Sequence, residues 1–96
     1  MQLDWQTAQE IDLVGFNVYR AESLDGPQVM LNTELIPALT PGQLQGNPYQ
    51  FMDISAETGK TYYYWVEWVG NISSEFYGPV TARLVRNVVW LPLVLR

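Results

Sequence analysis

The amino-acid sequence predicts an all-β fold, a two-sheet antiparallel Greek-key sandwich. Three observations carry that expectation. Short stretches of alternating apolar and polar residues recur along the chain, each closed by Gly, Pro, Asn or Asp turn chemistry. Aromatic residues make up 14% of the chain, with four Trp and six Tyr, and such side chains suit a pleated, half-buried surface. No segment sustains a helical period between capping residues, so almost no helix is expected.

The elements follow in order. A first strand is expected over residues 2–7, with Leu3 and Trp5 on one face, and residues 8–14 read as an acidic, polar connection. A second strand over 15–21 turns Phe16 and Val18 inward and Asn17 and Tyr19 outward. Leu24-Asp25-Gly26-Pro27 is a strong turn, and a third strand follows over 28–32. Residues 33–48 carry three Pro and two Gly and read mostly as loop, with a short extended piece over 35–38. A fourth strand fits 49–54, and residues 55–60 form a corner with Gly59 at positive φ. The fifth strand, 61–69, is the clearest: Tyr62, Tyr64, Val66 and Trp68 alternate with Tyr63, Trp65 and Glu67. A sixth starts near Glu75, breaks at Gly78-Pro79 and resumes over 80–85. The domain is thus drawn over 1–85, and residues 86–96 form a hydrophobic tail that reads as an added edge strand.

Ninety-six residues make about one domain. The chain has no Cys and no His, which excludes thiol nucleophiles, imidazole bases, Ser–His triads and zinc sites of the usual kind. The net charge of −5 argues against a nucleic-acid partner, since phosphates need a basic face. Carboxylates at Asp4, Glu10, Asp12, Glu22, Asp25, Asp53, Glu57 and Glu67 fall in turns and on outer faces, with no spacing that pairs two acids for catalysis. Asp53 and Glu57 could share a cation in the corner, but no dense Asp/Asn loop suggests calcium. No cofactor and no metal ligand set is expected, and the chain reads as non-enzymatic. The longest apolar run, residues 88–95, is eight residues, whereas a membrane span needs about 20. Polar, strand-like sequence follows Met1 directly and does not read as a signal peptide.

Several of these stretches resemble the fibronectin type III family. Leu3-x-Trp5 is similar to that family's strand B and Gly15-Phe16-Asn17-Val18-Tyr19-Arg20 to its strand C. Gly59-Lys60-Thr61-Tyr62-x-Tyr64-x-Val66 looks like its E–F corner, with Tyr62 as the structural corner tyrosine whose hydroxyl bonds back to upstream backbone. Gly78-Pro79-Val80-x-Ala82 resembles strand G. The run from Glu10 to Arg20 is similar to modules of large exported bacterial proteins. The resemblance covers about residues 2–84, lacks the family's N-terminal strand A, and continues past strand G. It implies an immunoglobulin-like sandwich, extracellular or on the cell surface, serving as a spacer or protein-docking module. Asn71-Ile72-Ser73 is formally a glycosylation sequon, which matters only in a eukaryotic source.

Two features invite partners. Tyr19, Tyr63 and Trp65 project from the outward face of the second and fifth strands, with Phe76 or Tyr77 as further members. Such rings stack on sugars or anchor protein interfaces, and they also stabilise sheets by simple cross-strand pairing. A polysaccharide is therefore an alternative to a protein partner or a neighbouring domain. The tail residues Val88, Val89, Trp90, Leu91, Leu93 and Val94 form an uncharged, β-prone run that would aggregate if left bare. They are expected to pair along a sheet edge, within the chain or across a homodimer, or to serve as an export or anchoring signal.

Overall fold

The computed structural model describes residues 1–83 and 92–95. Its strands are β1 (Gln2–Thr7), β2 (Leu13–Ala21), β3 (Val29–Met30), β4 (Ile36–Pro37), β5 (Pro48–Met52), β6 (Thr61–Gly70), β7 (Ser74–Arg83) and β8 (Pro92–Leu95). The described residues contain no helix. One sheet has the order β5-β1-β8, and the other β3-β2-β6-β7 with β4 also on β2. Among the described residues every pairing is antiparallel except one: β8 runs parallel to β1, setting Trp5 beside Leu93 and Thr7 beside Leu95. No hairpin joins those two strands, so nothing in the connection imposes the antiparallel sense.

Alternation explains the two faces. Along β6 the inward residues Tyr62, Tyr64, Val66 and Trp68 are all buried, and Phe16 and Val18 of β2 face the same way. Leu13 is buried too, although it stands three positions before Phe16 and a strict period of two would turn it outward. The β2–β6 register shifts between Leu13 and Gly15, and Val14 takes up the extra step in an exposed position. The opposing sheet supplies Leu3 and Trp5 from β1, Tyr49 from β5 and Leu95 from β8.

Aromatic contacts join the layers. The Trp5 ring stands edge-on to Phe16 at 5.5 Å and stacks on Tyr49 at 5.8 Å, while Phe16 meets Tyr49 at 4.7 Å and Trp68 at 6.0 Å. Each such pair adds about 0.5–1.5 kcal/mol beyond the area it buries. Leu95 is fully buried, so Leu95→Ala is expected to cost about 2 kcal/mol in urea unfolding. That is the low end for a core leucine, because an edge strand can relax into the space. A loss below about 0.5 kcal/mol would mean that β8 does not contribute to the core.

Two local expectations need correction. The sixth strand does not break at Gly78-Pro79: β7 runs through it, and two of its residues oppose Trp65 alone, since Tyr64 pairs Val80 and Val66 pairs Tyr77. A bulge absorbs what reads as an interruption. Residues 8–14 are also more than a polar connection, because Glu10 is 0% exposed and Leu13 begins β2. In the corner after β5, Gly59 has φ +88° and the Tyr62 hydroxyl accepts the Glu57 N–H at 2.9 Å.

Two carboxylates lie inside the protein, contrary to their expected place in turns and on outer faces. Asp53 accepts hydrogen bonds from Arg20 Nη1 (2.8 Å), Tyr64 Oη (2.7 Å), Ser55 Oγ (2.8 Å) and Ser55 N (3.1 Å). Arg20 continues the inward alternation of β2, and its guanidinium lies 4.6 Å from the centre of the Tyr62 ring. Both oxygens of Asp53 accept these bonds, while Glu57 pairs with Lys60 at 2.8 Å. Glu10 accepts from Tyr49 Oη (2.5 Å), Thr7 Oγ1 (2.7 Å), Thr40 N (3.0 Å) and Thr40 Oγ1 (3.2 Å). Its own backbone bonds Gln43 and Gly42, so one buried residue ties the long loop to β1 and β5.

These networks make stability depend on pH. Burial alone pushes the Asp53 carboxyl up, but hydrogen bonds from Tyr64, Ser55 and Arg20, with the charge of Arg20, hold it below the usual 3.8. Burial likewise pushes Glu10 up, and bonds from Tyr49, Thr7 and Thr40, with the Asn47 amide beside them, hold it below 4.5. A carboxyl lowered in the folded state stabilises fully above its unfolded value, and loses that contribution as pH falls through the folded one. Tyr49 is raised from 10 to about 12 by burial and by Glu10, so its contribution is whole below pH 10 and fades as pH rises towards 12. Urea midpoints measured against pH should therefore fall on both sides, beginning below pH 4.5 and above pH 10. A midpoint that rises on acidification would contradict the arrangement.

Candidate functional site

The outward residues of β2, β6 and β7 stand in rows across the larger sheet, and three of those rows hold the candidate side chains. Asn17, Glu67 and Phe76 make one row, with Asn17 opposite Glu67 and Glu67 opposite Phe76. Tyr19 and Trp65 face each other in the next, where Met30 of β3 adds an exposed apolar end. Ala21, Tyr63 and Thr81 make the third. Of the residues singled out in the sequence, Tyr19 and Trp65 are thus direct neighbours, and Tyr63 stands one row away. Phe76 joins them, whereas Tyr77 opposes Val66 and packs against the core.

A polar relay runs beneath the rings. The Val18 N–H donates to Asn32 Oδ1 (2.8 Å), so the Asn32 amide nitrogen must turn away and donate to Asn17 Oδ1 (2.8 Å). Asn17 Nδ2 is then left to donate to Glu67 Oε1 (3.0 Å), which also accepts from Tyr19 Oη (3.0 Å). A fixed backbone group thereby sets the orientation of each side chain up to the carboxylate. Burial, then the hydrogen bond and charge of Glu67, raise the Tyr19 hydroxyl above its ordinary value and keep it a donor. The Tyr19 and Phe76 rings lie 5.4 Å apart with planes inclined by 50°.

Trp65 rests on the bulge of β7. Gly78 has φ +129°, and a β-carbon there would fall 2.7 Å from the Tyr64 carbonyl oxygen and 3.2 Å from Trp65 Cδ1. The clash with the backbone oxygen and the positive φ reserve the position for glycine, beside the indole. Trp65, Tyr19 and Tyr63 are partly buried, while Phe76 is 55% exposed. The long loop after β4 is fastened elsewhere, through Thr40 to Glu10, Asn47 to Thr7 and Leu39 to Tyr49.

Glu67 and the two asparagines are the members that sequence reading did not join to the rings. Asn17 and Glu67 both point outward on strands that pair, so the register alone would have brought them together. Asn32 carries no such signal, because it lies past the end of β3.

The remaining candidates are placed as follows. Leu93 and Val94 lie in β8 against Trp5 and Gln6. Val88, Val89, Trp90 and Leu91 lie outside the described residues. Among the described residues there is no cluster of three or more His, Cys, Asp or Glu able to hold a metal ion. No described helix is long and apolar enough to cross a membrane. The chain matches no protein-family model, no curated protein and no solved structure.

Proposed function

We propose that the chain is a non-catalytic docking module, fibronectin type III-like and belonging to an exported or surface protein, that meets a protein partner through the outer face of β2, β6 and β7. The exposure of Phe76 beside Tyr19 and Trp65 carries this reading, because clustered aromatics with partly open faces are the side chains that dominate interface energetics. The partner is another domain of the parent protein or a separate protein. The placement in an exported protein rests on the resemblance of residues 2–84 alone.

Selection from a random-peptide library tests the docking role. Peptides that bind the native chain should lose about tenfold or more in affinity for Phe76→Ala, a truncation of about 1.4 kcal/mol or more at an exposed site that leaves the core intact. A library that yields no Phe76-dependent binder would sink the protein-docking reading. Quenching of Trp fluorescence by neutral oligosaccharides would then move the face to sugar recognition.

A further inference from the structure

We propose that the partner presents an arginine side chain to Glu67, stacked against the Tyr19–Phe76 pair; this rests on the docking role of the same face. The relay from Val18 delivers one donor, Asn17 Nδ2, to Glu67 Oε1, the Tyr19 hydroxyl supplies a second, and no described residue donates to Oε2. The carboxylate is therefore held in place with one oxygen available. The cationic side chains whose positions are described are engaged elsewhere, Arg20 with Asp53 in the interior and Lys60 with Glu22 and Glu57. A partly buried negative charge without a described counter-ion, in a chain of net charge −5, selects a basic occupant.

The rings decide which base fits. Phe76 opposes Glu67 directly, and the Tyr19 ring reaches across to it at an inclination of 50°. Two inclined rings make a wall beside the carboxylate rather than a flat floor for a sugar ring. A guanidinium is planar: its face stacks on an aromatic ring while its edge donates to an oxygen in the same plane. An ammonium offers no face, and a neutral sugar leaves the charge unanswered.

Titration with N-acetyl-arginine amide, followed by heteronuclear NMR, tests the assignment. The expected shifts centre on the Trp65 indole N–H, the Asn17 side-chain amide and the Phe76 backbone, and weaken with added salt. Blocked citrulline, equal in shape but uncharged, should bind at least about tenfold more weakly, which corresponds to 1.4 kcal/mol. Glu67→Gln should weaken arginine by a similar factor while keeping the acceptor for Asn17 and Tyr19. Shifts spread over all surface carboxylates, equal binding of citrulline, or a response to a neutral oligosaccharide alone would each overturn the proposal. Library peptides that depend on Phe76 but lack arginine and ignore Glu67→Gln would refute it and leave the docking role standing. Absence of any Phe76-dependent peptide would instead remove the docking role itself.

Discussion

Asp53→Ala is expected to cost about 3–5 kcal/mol, the range for breaking a buried ion pair from one side. The Asp53 side chain is 2% exposed and that of Arg20 17%, so the abandoned guanidinium has little water to turn to. The Tyr64 hydroxyl, itself buried, loses its acceptor in the same step. Urea unfolding should show the loss as a lower midpoint at an unchanged slope. Adding Arg20→Met should recover part of it, since the uncompensated charge is then gone and an unbranched apolar chain fills its place. If the single variant lost less than about 1 kcal/mol, Asp53 would be behaving as a solvated surface acid rather than a structural one.

Glu10→Ala should come next, at about 3 kcal/mol, for a different reason. No described cation pairs with Glu10: its four acceptor contacts come from two threonine hydroxyls, a tyrosine hydroxyl and one backbone N–H. Removing the carboxylate orphans buried donors, and each unsatisfied one costs about 1–3 kcal/mol. The damage should be local as well as global. Amide exchange at Leu39 and Thr40 should accelerate, because Leu39 donates to the Tyr49 hydroxyl and Thr40 to Glu10 itself. Glu10→Gln should cost less, since hydroxyls can reverse and accept from the new amide. Equal losses for the alanine and glutamine variants would show that charge, and not donor satisfaction, is what the loop requires.

The two acids also mark how far local pattern reaches. The faces of β6 were legible because alternation is a property of neighbouring residues, and one slip would turn every side chain over. Gly59 was legible as a turn residue for the same local reason. Glu10 was not, because apart from Thr7 its donors are distant, 30 residues away at Thr40 and 39 away at Tyr49. Nothing beside Glu10 in the chain distinguishes it from Glu22 or Glu57, which pair on the surface with Lys60. On the outer face, Tyr19 and Trp65 could be read as neighbours from alternation, and Glu67 could have been added from register. The contribution of Asn32 could not, as a loop residue reaches the sheet only once the chain has folded.

What the residues determined alone was an all-β chain, the inward and outward sets of its two best strands, and an apolar C-terminal run in need of cover. Those are consequences of local geometry and of the cost of exposing hydrocarbon. The tertiary structure decided which strand β8 meets and in which direction, which two acids enter the interior, and which amide orients Glu67. Each of those depends on partners distant in sequence, and a buried charge or an edge strand is stable only where the rest of the fold supplies them.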